Sequence, residues 1–336
     1  MADWVVEVGI GEDRAILLDG DTIIAARVCW REPWRAGAVT MARLDHRHRG
    51  TARGAVSLPD GTIARIDSLP AGLTDGATLM IRITRAALAE RGRFKLAQGR
   101  ATGDAVPAPA PALAQTLGAT GYPVRVAGAH DRTFDTAGWD DVMEQAASGV
   151  IDFAISAGAT GRLIISPTPA MTLIDIDGPA PLPTLALAAV PALAGVLARL
   201  DIGGSVAIDF PGLDTRADRQ TVDRALDTAL AHVGWRGERT GMNGFGLVQL
   251  VSRLERPSLL TRIAFHPARA AARALLRAAE RIDQPGALLL VAHPTVLAAI
   301  DAPLEAELAR RTGRIVRREP RAVLALHAGF AQAVAP

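Results

Sequence analysis

Apolar and polar residues alternate from Asp3 to Trp30, and a turn signal at Asp19-Gly20-Asp21 interrupts them. A period of two predicts strands, here Trp4 to Val8, Ala15 to Asp19 and Thr22 to Val28. The same period recurs in short runs at 38–43, 52–58, 62–66 and 78–84, with Pro59-Asp60-Gly61 turning between the second and third. Several short strands at this spacing predict a small barrel. Alternation stops at Ala105-Val106-Pro107-Ala108-Pro109-Ala110-Pro111-Ala112, an Ala/Pro run that favours polyproline II and reads as a linker.

Beyond the linker the period lengthens. Residues 136–147 have helical character, with Asp140 and Asp141 near the start. Residues 162–166 and 171–177 predict a hairpin around Pro167-Thr168-Pro169, followed by a helix over 184–200, a Gly203-Gly204 turn, a strand at 205–210, a helix over 219–233 and a strand around 246–251. A helix over 267–281, a buried strand at 287–292 and one or two helices over 296–310 complete the pattern. This order predicts a multi-domain α/β chain. The Ala/Leu run at 184–198 is shorter than the ~20 apolar residues a membrane span needs and is interrupted by Pro191, so it reads as a core helix and no membrane partner is expected.

The segment between Asp175 and Asp209 reads as strand, helix, turn, strand, a βαβ unit whose strands lie parallel in one sheet. Both aspartates fall at strand C-termini, where open α/β sheets bind ligands. Alternation puts Asp175 and Asp177 on one face and Ile174 and Ile176 on the other, so three carboxylates are expected to converge with no sequence-adjacent cation. The spacing fits two readings: a hard-cation edge, or strand-end aspartates that cap turns. In the first, oxygen ligands suit Mg²⁺ or Mn²⁺, and phosphodiester hydrolysis is the matching chemistry.

Composition narrows the classes. Cys29 is the only cysteine of 336 residues, which excludes an intrachain disulfide and a four-cysteine zinc ribbon and fits a reducing setting. The N-terminus has neither a positive n-region nor a long apolar h-region. The 37 basic residues nearly balance 35 acidic ones, so net charge does not announce a nucleic-acid binder. Lys95 is the only lysine, and arginine supplies every other cation. The histidines show no metal spacing beyond His46-Arg47-His48, which reads as surface.

Ala170-Met171-Thr172-Leu173-Ile174-Asp175-Ile176-Asp177 and Gly203-Gly204-Ser205-Val206-Ala207-Ile208-Asp209-Phe210, with a helix between them, resemble the two signature stretches of the ribonuclease E/G family. Phe134-Asp135 through Ile151, Gly161 to Ile165, Gly244 to Leu250 and Arg256 to Leu259 follow the same pattern in the same order. The resemblance implies a cytoplasmic, Mg²⁺-dependent endoribonuclease that cuts single-stranded RNA to 5′-phosphate and 3′-hydroxyl ends. Asp175 and Asp209 would be its metal ligands, and Asp177 would stand where the family usually has an asparagine beside the scissile phosphate. It further implies an N-terminal β segment at 1–35, a degenerate S1/OB-like barrel at 36–100, the linker at 101–118, the rest of an RNase H-like subdomain at 119–160, a DNase I-like catalytic subdomain at 161–260 and a small C-terminal α/β domain at 261–336.

The same resemblance points to RNA contacts at Arg93, Phe94 and Lys95, near an RNA-contacting lysine of the family, and at Asn243 and Phe245, in an RNA-contacting loop. As sequence alone, the first group also reads as a solvated loop and the second as a turn before a strand. No aromatic lies between Arg53 and Leu69, so the barrel lacks a stacking platform there. No cysteine follows Leu260, which implies no zinc and no zinc-linked dimer, the oligomeric state being otherwise open. The family's 5′-end sensor has no counterpart segment before Phe134, so no strong 5′-monophosphate preference is expected. A catalytically weak RNA-binding protein in RNA or ribosome maturation is the alternative from another class, and a phosphohydrolase for a smaller substrate is a third.

Overall fold

The computed structural model describes residues 2–90, 93–104, 106–128 and 130–335, with the Arg93 and Ala157 side chains outside that set. The chain divides into two units, each woven from separated stretches: 1–31, 113–147 and 259–336 in one, 32–112 and 148–258 in the other.

Strands β1 (Asp3–Val8), β2 (Glu12–Asp19) and β3 (Thr22–Trp30) stand at the three expected strand positions and extend the expected hairpin to a three-stranded meander. In the second unit β4 (Val39–Arg47), β5 (Gly54–Ser57), β6 (Ile63–Ile66) and β7 (Thr78–Arg85) are the four forecast barrel strands. A small hairpin of β8 (Leu88–Glu90) and β9 (Arg93–Lys95) follows. The barrel closes through β10 (Ala97–Ala101), which pairs with both β6 and β7. Ala-Gln-Gly-Arg-Ala carries no β-branched residue, so propensity does not reveal this strand.

The stretch expected as a linker is structured over much of its length. Ala108 exchanges both backbone hydrogen bonds with Val39 at 2.9 Å, Ala110 is buried, and α1 (Leu113–Gly118) starts inside the same stretch. In the first unit β11 (Val124–Ala127) adds in parallel to β1, and α2 (Thr133–Thr136) and α3 (Trp139–Ser148) follow.

A six-stranded sheet of order β12-β13-β14-β15-β17-β16 organises the rest of the second unit. Its strands are β12 (Val150–Ala154), β13 (Thr160–Pro167), β14 (Thr172–Asp177), β15 (Ser205–Asp209), β16 (Gly237–Arg239) and β17 (Leu247–Ser252). Because β12 pairs with β13, the boundary expected at residue 160 falls inside a hairpin of this sheet. Helix α4 (Leu182–Arg199) crosses from β14 to β15 and packs on β12, β13 and β14, with α5 (Arg216–His232) beside it. Although α4 is long and apolar enough to cross a membrane, eight of its side chains, among them Leu185, Val190, Leu193 and Leu197, are buried, as the core-helix reading expects.

The C-terminal stretch contributes α6 (Leu259–Phe265), α7 (Pro267–Glu280), β18 (Ala287–Ala292), α8 (Pro294–Ala298), α9 (Ala302–Thr312), β19 (Val316–Pro320) and β20 (Phe330–Val334). Leu276, Leu288, Leu290, Val296 and Leu308 form its core together with Ile10 from the N-terminal stretch. Charge reinforces this joint. Buried Glu7 takes two hydrogen bonds from buried Arg14, both 3.0 Å, and a third from Arg281 at 2.9 Å. Burial, then the proximity of Arg277, pushes the Arg14 guanidinium down to about 10, while its hydrogen bond to Glu7 opposes the shift. Arg14 also lies 4.1 Å from the ring centroid of Phe134.

Candidate active site

The site begins with alternation. Ile174 and Ile176 are buried in β14, while Asp175 and Asp177 face out; in β15 Val206 and Ile208 are buried and Asp209 faces out. After α4 the chain reverses through Gly203-Gly204, Gly204 at φ +81°, a conformation that costs glycine nothing. Strand β15 then runs parallel to β14 in a register that pairs Asp175 with Asp209. Neighbouring strands lie about 4.8 Å apart, so two carboxylates stand side by side on the exposed face, at the C-terminal end of β15.

Asp175 is oriented by its own backbone: Oδ1 accepts a 3.0 Å hydrogen bond from the Ile176 N–H. Neither Asp177 nor Asp209 makes a side-chain hydrogen bond or salt bridge among the described residues, which leaves their oxygens available.

The expected convergence of three carboxylates is corrected to a pair. Among the described residues no three of His, Cys, Asp and Glu gather as a cation-holding group. Strand β15 ends at Asp209, whereas Asp177 lies two residues farther along β14, about 7 Å from Asp175. Across the strand pair Asp177 faces not another acid but Arg162 of β13. The Arg162 Nε donates to Asp152 Oδ1 at 2.8 Å. That hydrogen bond holds the Asp152 carboxyl below its ordinary range and raises the Arg162 guanidinium, to which Asp177 adds a smaller electrostatic lift. Sequence reasoning missed Arg162 as a site residue. The signal was present: the tight turn in which Thr168 N–H donates to Met171 O at 2.9 Å pairs Pro167 with Thr172, and counting back antiparallel sets Arg162 opposite Asp177.

Of the expected RNA contacts, Asn243 and Phe245 come to the same end of the sheet. Leu247 pairs with Asp209, and the Phe210 N–H donates to Gly246 O at 3.2 Å, tying the loop to the residue after Asp209. Gly246 sits at φ +87°, and a Cβ there would lie 2.7 Å from Phe210 O, so only glycine permits the approach. Asn243 Oδ1 accepts from Phe245 N at 2.9 Å and from Leu247 N at 3.0 Å, which makes it the loop's brace; Phe245 projects 89% exposed. Arg93, Phe94 and Lys95 lie apart from this sheet, in β9 of the small hairpin. Phe94 is exposed, Lys95 is paired with Glu90 at 2.7 Å, and the Arg93 side chain is outside the described residues, as is Arg91.

An exposed pair of carboxylates with uncommitted oxygens fits a hard divalent cation, which binds through one or two carboxylates and retains water. Comparison with known proteins agrees with this chemistry. No curated protein matches the chain. Residues 114–254, which include Asp175, Asp177, Asp209, Asn243 and Phe245 but not β4–β10, match the ribonuclease E/G family. That family is generally dependent on a divalent metal and implies ribonuclease activity in RNA processing. Through this segment, which carries the carboxylate pair and the loop beside it, the chain is similar to the ribonuclease E/G family.

Proposed function

We propose that the protein is a Mg²⁺-dependent endoribonuclease that cuts single-stranded RNA to 5′-phosphate and 3′-hydroxyl ends in RNA processing or decay. The observation that carries this reading is the in-register pairing of Asp175 with Asp209 on an exposed sheet face inside the family-matched segment. Asp175 and Asp209 would hold the metal, with Mn²⁺ the nearest substitute. When bound, it supplies neutralisation of phosphodiester charge and a more acidic water. The chain's own residues do the positioning. The Ile176 N–H orients the Asp175 carboxylate, Asn243 braces the loop, and Phe245 offers a ring on which a base stacks.

In this reading the closed barrel is a degenerate S1-like barrel that adds little RNA grip, the six-stranded sheet is the DNase I-like catalytic subdomain, β1–β3 with β11 are the RNase H-like part, and the stretch after 260 is the small C-terminal domain. The region between β10 and Phe134 is occupied by α1 and β11, the latter paired with β1, which supports cleavage without strong 5′-monophosphate preference.

The test is cleavage of matched 5′-phosphate and 5′-hydroxyl single-stranded oligoribonucleotides across a Mg²⁺ titration, using wild type, Asp175→Asn and Asp209→Asn. Metal-assisted charge stabilisation amounts to several kcal/mol, so each variant should lose about a hundredfold or more in rate, and the two substrates should be cut alike. Equal cleavage by all three proteins would sink the assignment. Salt-sensitive RNA binding without Mg²⁺-dependent cutting would support a catalytically weak RNA-binding protein instead.

A further inference from the structure

The charge arrangement beside the carboxylate pair contains a cation that the proposed chemistry has not used. Asp152, Arg162 and Asp177 form one cross-strand row over β12, β13 and β14, on the same face as Asp175 and Asp209. Arg162 is directly opposite Asp177 and diagonal to Asp175. A diagonal neighbour lies about 7–8 Å away, within reach of a side chain as long as arginine. The Arg162 guanidinium is about half exposed, and its one hydrogen bond, to Asp152, uses Nε. Among the described residues no partner engages either terminal nitrogen, which leaves N–H donors in the fork geometry that matches a phosphate.

We propose that Arg162 is a substrate-positioning residue, which holds an RNA phosphate beside the Asp175–Asp209 pair and offsets the negative charge of Asp177 against that phosphate. This rests on the ribonuclease reading above. A strand that brings phosphates to three exposed aspartates meets repulsion, and Arg162 is a cation that the sheet places beside Asp177 and diagonal to Asp175. Its bond to Asp152 through Nε fixes the side chain while the outer edge stays available.

The test compares wild type with Arg162→Ala, Arg162→Lys, Asp152→Asn and the double variant Arg162→Ala/Asp177→Asn. RNA affinity is measured in EDTA as a function of salt, and half-saturation and turnover are measured with Mg²⁺. A charge-assisted hydrogen bond to phosphate is worth on the order of tenfold in affinity. Arg162→Ala should therefore raise half-saturation about tenfold with a smaller change in turnover, and reduce the salt slope of binding by about 0.7. Arg162→Lys should recover part of the loss, and Asp177→Asn should recover part of it in the Ala background by removing the exposed like charge.

Asp152→Asn breaks the ion pair but keeps the cation, and it should leave half-saturation within about twofold. If Asp152→Asn and Arg162→Ala behave alike, the residue only braces the sheet and the proposal fails. A wild type that cuts RNA while Arg162→Ala shows unchanged affinity and salt slope overturns this proposal alone. A wild type that neither binds nor cuts RNA overturns the ribonuclease reading and this one with it.

Discussion

Asp209→Asn should have opposite effects on stability with and without metal. In the absence of a divalent cation, Asp175 and Asp209 are like charges directly opposite one another on adjacent strands, an arrangement that destabilises a sheet. At a separation of about 5 Å, Coulomb's law gives a repulsion of about 0.8 kcal/mol at the dielectric constant of water and about 3 kcal/mol at an effective value of 20. Both side chains are exposed, so the lower figure governs. In EDTA and low salt the variant should melt about 1–3 °C above wild type. The gap should close in 1 M salt, where the screening length falls to about 3 Å.

Mg²⁺ at a hundred times its dissociation constant should then stabilise wild type by about 2.7 kcal/mol and the variant far less, which reverses the order. Thermal denaturation over the grid of EDTA, Mg²⁺ and salt reads all of this without any RNA. Absence of the reversal, with Mg²⁺ shifting both proteins equally, would refute the claim that these two carboxylates share a cation.

Two further perturbations address the scaffold. Gly246→Ala forces a Cβ to within 2.7 Å of Phe210 O at φ +87° and should cost about 1–3 kcal/mol in urea unfolding together with cleavage, because the strained atom adjoins Asp209; Gly244→Ala, where a side chain meets nothing, should be nearly neutral. Glu7→Gln removes the buried carboxylate that Arg14 and Arg281 share and should destabilise by about 3–5 kcal/mol in the same assay, whereas a loss below about 1 kcal/mol would show that the pair is dispensable.

Much of the fold was legible because periodicity reports burial. Strand β18 is found at the residues its apolar run marks, and α4, β14 and β15 lie within two residues of their forecasts. The elements that escaped are short and get their order from neighbours. Strands β11 and β16 are held by pairing with β1 and β17, and β10 by closure of the barrel, none of which leaves a local pattern. The Ala/Pro stretch misled for the complementary reason: composition describes how such a chain behaves alone, whereas Ala108 here finds a backbone partner in Val39.

The same distinction explains the site. That Asp175 and Asp177 share a face follows from the pleat, and that Asp175 meets Asp209 follows from the βαβ connection, so both were legible. Which acids stand together depends on where β15 stops, and which cation stands near them depends on the register of β13, a property of pairing rather than of either strand. With β15 ending at Asp209, Asp177 has no acid opposite it and instead meets Arg162. The charge of Asp177 is thus offset only in part, because Arg162 is shared with Asp152. With Arg162 already paired to Asp152 at 2.8 Å, an Asn at 177 would bring the row from a net negative charge to neutral and leave Asp175 and Asp209 in place. Asp177→Asn alone should therefore leave the metal response of the Asp175–Asp209 pair intact, which separates a tuning role for Asp177 from a ligating one.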